Sequence, residues 1–450
     1  MLQIRQVCRT LKGDVDYDIG IAVRIVDAIP TGGYREFLES VVIRSLCLEN
    51  YICGSLGLQL LKPLALRELI IFDRIQFTVL EQLINSCRHL ENLRISGVIE
   101  QVPKFVKVSN EKKVFPRLTE LNLDFCFWTA FTDPDMESRR LLLLPMISAP
   151  KLVKFCYKEF SKVNFQHEAT LNALTQFLQW HRTIQHMYLT LHTPMGIEDG
   201  ALFTQIQQKL EYAGRLLNLT TLQIEIASGH DSHGELWTNF ILTQKKLETF
   251  CYNSPFNELR YYGHVIENNY RSLKIIWITT SMATPFDFSV LDKCAQLEEL
   301  GLQKYGSMRS PEGDTVNFTK LPENLNFLSI SHMSVPSGFI KHVAQLKKLK
   351  YLALISLDME VDLKYFRKLL ALRNLEAILL KEVYSTCTGS KKELTLKKLK
   401  TMSEQLKSQD DDIGALVSIR PKDFSRWFAV GDLIGFSTSE SIEPGCINFL

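Results

Sequence analysis

The chain has 450 residues, 46% hydrophobic and 23% charged, with 52 Lys and Arg against 50 Asp and Glu for a net charge of +2. That is the composition of a folded chain with enough apolar mass for a large core, and its balance gives no overall field toward nucleic acid or an anionic membrane. None of the ten cysteines stands in a C-x-x-C pair, which excludes zinc-ribbon and dithiol motifs; the thiols read as small buried hydrophobes in a reducing compartment.

At the N-terminus, Leu2, Ile4, Val7, Cys8 and Leu11 fall on one side of a helix. Arg5, Arg9, Lys12 and Asp14 stand where a secretion signal would need an apolar stretch. The longest apolar-rich run, Leu141 to Val153, holds two prolines and a lysine and is too short to cross a bilayer. An intracellular protein, cytoplasmic or nuclear, is expected. Residues 19–40 are mixed, with a Pro30-Thr-Gly-Gly33 turn, and read as an N-terminal cap.

Thr78 to Ile95 is the clearest unit. Val79, Leu80, Leu83 and Ile84 make an apolar helix face that Cys87 and Leu90 close; Leu90, Leu93 and Ile95 then follow L-x-x-L-x-L, the last two alternating as on a strand. The unit recurs down the chain. Its last strand position is held by Leu48, Ile71, Ile95, Leu123, Tyr157, Leu189 and Ile224, then by Tyr252, Ile278, Leu302, Ile330, Leu354 and Leu380, at steps of 23 to 35 residues. Thirteen such units predict an α/β leucine-rich-repeat solenoid, a horseshoe with a parallel concave sheet and convex helices, over residues 41–382. Helices are expected at 166–180, 197–213, 259–271, 337–346 and 360–371, and the long steps between Leu123 and Ile224 imply larger connections. Residues 383–450 read as a cap helix, with Leu394, Leu396, Leu399, Met402 and Leu406 on one face, and a tail carrying Trp427, Phe428 and Phe436.

Strand alternation assigns the residues flanking the core leucines to the concave face. Toward the N-terminus these are polar, as in Asn92, Arg94 and Ser96, then Glu120, Asn122 and Asp124, then Lys154, Cys156 and Lys158. The middle is mixed, with Tyr188 among polar neighbours; toward the C-terminus Ile275, Trp277, Phe327, Tyr351, Ile355 and Leu379 make it apolar. Trp277, Ile275, Phe327, Tyr351 and Ile355, with Asp124, Lys154 and Tyr188, are the candidate anchors for a protein partner. Burial of the aromatic set under the C-terminal tail is the competing reading. His230-Asp-Ser-His233 lies in a Gly- and Ser-containing stretch without a further ligand pair, so no metal site is assigned there. Lys391 to Lys400 reads as a solvated helix face. No phosphate-loop, nucleophile-elbow or zinc-protease motif occurs; neither an enzyme nor a cofactor is expected.

The segment Leu2-Gln-Ile-Arg-Gln-Val7-Cys8-Arg9-Thr-Leu11 is similar to the closing helix of an F-box, L-x-x-V-C-R-x-W, with Leu11 in place of the tryptophan. Together with runs such as Leu83 to Leu93, it resembles an F-box/leucine-rich-repeat protein. The front of the motif, which usually begins Leu-Pro, is missing, so residues 1–18 read as a residual F-box helix; either the start is internal or the module is lost. The resemblance implies a substrate-recognition adaptor of a Skp-cullin-F-box ubiquitin ligase. Leu2, Ile4, Val7 and Leu11 would serve the F-box core or the Skp surface, and the concave repeats would hold the target. Nucleic acid and membrane are not expected partners. The alternative is a repeat scaffold without a ligase.

Overall fold

The structure is a computed structural model that describes residues 2–6, 21–26, 43–49, 66–72, 75–76, 80, 87–96, 99–100, 113–124, 144, 147–159, 168–191, 200–226, 232–254, 262–281, 289–305, 320–336, 338–355, 357–359, 365, 368–369, 371–381, 384–385 and 392–393. The chain divides into two units, residues 1–276 with 280–282, and residues 277–279 with 283–450.

In the first unit a sheet grows one strand per coil. Its strands are β1 (Leu2–Gln6), β2 (Ile21–Val26), β3 (Ile43–Glu49), β4 (Glu68–Phe72), β5 (Asn92–Ser96), β6 (Glu120–Asp124), β7 (Lys154–Glu159), β8 (His186–Leu191), β9 (Thr221–Ile226) and β10 (Thr249–Ser254). From β2 to β10 every neighbouring pair is parallel. β11 (Ile275–Ser281) contains the division between the units. The second unit holds β12 (Glu299–Tyr305), β13 (Phe327–Ser331), β14 (Tyr351–Ile355) and β15 (Ala377–Lys381), again parallel in sequence order.

All thirteen repeat landmarks fall on these strands. Leu48, Ile71, Ile95, Leu123, Tyr157, Leu189, Ile224 and Tyr252 stand in one register across the first unit; Leu302, Ile330, Leu354 and Leu380 do so across the second. Alternation explains the register: in β5, Leu93 and Ile95 are buried while Arg94 is exposed. A slip of one residue would turn every core side chain outward.

The N-terminal helix expected over Leu2, Ile4, Val7 and Leu11 is corrected. Residues Leu2–Gln6 form β1, antiparallel to β2 with Leu2 opposite Ile25 and Gln6 opposite Ile21. Leu2 and Ile4 fit a period of two as well as 3.6, and pairing with the neighbouring strand decides between them. Val7 and Leu11 lie outside the described residues. Within the expected cap, β2 joins the sheet beside β3.

Helices connect several strands. The expected segments at 166–180, 197–213 and 259–271 become α1 (Glu168–Trp180), α2 (Gly200–Leu216) and α4 (Tyr262–Asn269), and the one at 337–346 shrinks to α5 (Phe339–Val343). Within 360–371, Tyr365, Lys368 and Leu369 are helical. The helix α3 (Ser232–Leu242) was not foreseen, and it takes in Ser232 and His233 of the stretch read as a loop. Its apolar residues Trp237, Phe240 and Ile241 are buried; the weak helix formers Ser232, His233 and Gly234 at its start hid the pattern. The expected cap helix with Leu394 to Leu406, and the tail beyond it, lie outside the described residues; ahead of them Tyr384–Ser385 pairs antiparallel with Lys392–Glu393.

Two devices join the coils. At most of the described strand starts one carbonyl accepts two N–H groups of the next coil: Arg67 O takes those of Glu91 (2.7 Å) and Asn92 (2.9 Å), and Glu91 O takes those of Thr119 (2.8 Å) and Glu120 (3.1 Å). The same pattern recurs in the second unit at Glu298 O and Asn326 O. Buried polar side chains also reach back one coil. The ring of His181 accepts from the Ala149 N–H through Nε2 (3.0 Å) and donates from Nδ1 to Phe177 O (2.8 Å). Asn269 accepts from the Leu247 N–H (2.8 Å) and donates to Gln244 O (2.9 Å) and Val265 O (2.8 Å). Gln244 donates to Gly214 O (3.0 Å). Such groups are tolerated inside because each finds a partner.

Candidate protein-interaction face

The candidate face is the side of each sheet opposite the core leucines. In the first unit it is polar and partly open. Arg94 is exposed and its guanidinium lies over the Phe72 ring of the preceding strand at 5.3 Å. Lys154 pairs with Glu120 across the ladder (3.3 Å), both side chains nearly half exposed. Nearer the upstream end Ser45 donates to Glu68 (2.6 Å); downstream His186 bonds the hydroxyl of Thr221 (3.0 Å).

Between them runs a central column, Arg94, Asn122, Cys156, Tyr188, Gln223 and Cys251, in continuous register. Tyr188 is half-buried there, its phenol pushed up by burial and by the neighbouring Cys251, Cys156 and Glu120. Cys156 is buried, and burial raises its thiol to about 11, so it is a packing residue. Asn122 Oδ1 is buried with no hydrogen-bond partner among the described residues.

At the far end of the strands the face sinks. Ser96, Asp124, Thr190, Glu225 and Asn253 are buried polar residues in one column, with the half-buried Lys158 between Asp124 and Thr190. Glu225 is its centre: Thr190 Oγ1 donates to one carboxylate oxygen and Asn253 Nδ2 to the other, each at 3.1 Å. Burial pushes the Glu225 carboxyl up; those two hydrogen bonds and the charge of Lys158 offset part of the rise. Asp124, expected as an open-face anchor, is corrected to a buried member of this column. The reason is position: it follows the last core residue of its strand, where the chain leaves the sheet.

The aromatic set of the second unit is likewise corrected. Trp277 and Phe327 sit at face positions, as strand alternation requires, but are only 7% and 2% exposed. Gly301 explains the indole. Trp277 lies flat on β12 where that glycine offers no side chain, and a Cβ there would overlap its six-membered ring. Phe327 packs beside it with ring centroids 5.3 Å apart, and Tyr351 follows at 6.4 Å. Large rings on an open sheet thus bury one another by lying down along it. Trp277 Nε1 is buried and meets no acceptor among the described residues. Tyr351 is half-buried and its hydroxyl donates to Glu376 (2.5 Å); Ile355 and Ile275 are also half-buried.

Parallel strands one per coil, a core of leucine-type residues in register, and coil-to-coil joints define a leucine-rich-repeat solenoid. No family model matches the chain and no curated protein matches it. Among solved structures it is similar to a leucine-rich-repeat protein of Leptospira interrogans, at 14% identity and TM-score 0.40 over 85% of this chain and 87% of that one. It is also similar to the chain in the TLR13–ssRNA13 complex, at 12% identity and TM-score 0.36 over 80% of this chain and 57% of that one.

Proposed function

We propose that the chain is a protein-interaction scaffold that holds a partner on the polar open face of its first unit. The observation that carries this reading is the line of accessible charged groups there, Arg94 over Phe72 and Lys154 beside Glu120, set on a rigid parallel sheet. Rigid presentation lowers the ordering cost of binding, and exposed charges at such a face set partner choice and association rate. The anchors are therefore Arg94, Lys154 and Tyr188, with Ile275 as a secondary contact and Asp124 supporting the face from within.

Partners cross-linked to the intact protein provide the test. Arg94→Glu with Lys154→Glu should lose at least one partner that the unaltered chain captures, with unchanged thermal unfolding. An identical partner set from both proteins would sink the reading.

The finer reading is substrate recognition for a Skp-cullin-F-box ubiquitin ligase, resting on the resemblance of residues 2–11 and the repeats. The strand at Leu2–Gln6 weighs against an F-box helix in this segment, so the scaffold form is preferred. Co-purification of Skp adaptor and cullin with the chain, lost on deleting residues 1–18, would favour the ligase form.

A further inference from the structure

The turns before the strands of the first unit carry a charge pattern that the near-neutral chain does not predict. Four successive turns, Cys87–Leu90, Phe115–Leu118, Ala149–Leu152 and His181–Ile184, close alike, with the last N–H bonded to the first carbonyl at 3.0–3.4 Å. Their tips carry Arg88, Arg117, Lys151 and Arg182, all exposed. The turn before β9 presents Asn218; the next two present Lys245 with Lys246, and Arg271, again exposed. No tip in this series is acidic, in a chain with 50 acidic residues against 52 basic ones.

Pairing separates this row from the row beside it. At the strand starts, charges are matched from coil to coil: Arg67 with Glu91 (3.8 Å), Glu120 with Lys154 (3.3 Å), Glu248 with Lys274 (2.8 Å). None of the seven basic tip residues forms an ion pair among the described residues. Arg182 has only a long bond to Gln179 O (3.4 Å), and Arg271 bonds and stacks on its neighbour Tyr270. Because the strands below them stand in register, the tips repeat at about the interstrand distance of 4.8 Å.

We infer that this row is a second interaction surface, distinct from the open sheet face, that takes an acidic segment of a partner protein. Carboxylates three or four residues apart on a helix lie about 5–6 Å from one another, close to the step of the row. The Arg-rich composition suits carboxylates, which the guanidinium grips with two parallel bonds. Single-stranded nucleic acid would need an aromatic platform at each step, whereas among the described tip residues Tyr270 is the one Phe, Tyr or Trp ring, stacked on Arg271, and Trp180 stands before one other turn.

The test uses the full chain and a fluorescent Glu-rich peptide with a carboxylate at every third or fourth residue. Reversing four tips, Arg88→Glu, Arg117→Glu, Lys151→Glu and Arg182→Glu, should weaken binding by about tenfold or more and flatten its salt dependence. The control reverses four exposed lysines elsewhere, at 293, 320, 341 and 368, with the same change in net charge, and should change binding about threefold at most. Equal loss in both variants, or no loss in the first, would overturn the inference. So would tighter binding of a thymidine oligonucleotide or of phosphatidylserine vesicles than of the peptide at equal salt. The Arg94→Glu, Lys154→Glu variant should change peptide affinity about threefold at most, far less than the tip reversals, so the two surfaces stand or fall separately.

Discussion

Trp277 rests on Gly301 so closely that a β-carbon on the glycine would overlap its ring. The contact is a matter of space, and the glycine acts as the floor for the indole. Gly301→Ala should therefore destabilise the second unit by about 1–3 kcal/mol through overpacking, read by denaturant unfolding. In combination with Trp277→Leu the cost of the alanine should fall, giving a non-zero coupling in a double-mutant cycle. Additive effects would mean that the ring can move aside freely.

The same contact changes what alanine does at the aromatic positions. Trp277→Ala and Phe327→Ala should each cost about 3–5 kcal/mol of stability, seen as a lower denaturant midpoint. Tyr351→Ala should cost less, since the ring is only partly buried and its hydroxyl bond is exposed. Wild-type midpoints for the first two would return those rings to the list of binding anchors.

Glu225 gives a pH dependence with a definite sign. Its carboxyl is raised in the folded protein by burial, so folding favours the protonated form. That contribution is fully present below the ordinary carboxylate pKa and is lost as pH rises through the raised folded value. Relative to Glu225→Gln, the wild type should lose stability as pH climbs through this window. A difference between the two proteins that stays flat with pH would contradict the assignment.

His181 links the end of α1 to the preceding coil with both ring nitrogens. His181→Ala leaves the Ala149 N–H without its acceptor and empties space beside Phe177, whose ring lies 4.1 Å away. A loss of about 2–4 kcal/mol is expected, with faster hydrogen exchange at Ala149 than elsewhere in its coil. Unchanged exchange there would show that the bond carries little.

Burial raises the thiols of Cys87 and Cys156 to about 11 and that of Cys294 to about 12. At neutral pH these should resist alkylation in the folded protein and react only on unfolding. Rapid modification under native conditions, measured by mass spectrometry, would contradict their placement.

The sheet was legible because one apolar position per coil leaves a mark at a regular spacing, even where Tyr157 or Tyr252 replaces leucine. Face positions followed from alternation alone. Exposure did not, because it depends on a neighbour in another coil: nothing around Trp277 reveals that Gly301, twenty-four residues later, lies beneath it. Leu2 to Gln6 was misread because five residues satisfy both periods, and the deciding partner, Ile21–Val26, is a separate segment. The bridging His181, Gln244 and Asn269 could have been suspected from their recurrence near helix ends, but a polar residue there reads first as solvated.

The doubly accepting carbonyls at the strand starts have a consequence for how such a chain can change. Each joint rests on main-chain N–H groups, helped at Thr119 and Thr220 by a hydroxyl, so it makes little demand on side chains and sets no limit on what intervenes before the next one. The coil of 24 residues that ends at Ile95 and the coil of 35 residues that ends at Ile224 attach by the same hardware. A connection can therefore be lengthened, or a row of tips changed from neutral to basic, without altering the junction. The parts that present side chains to a partner are thus insulated from the part that holds the coils together.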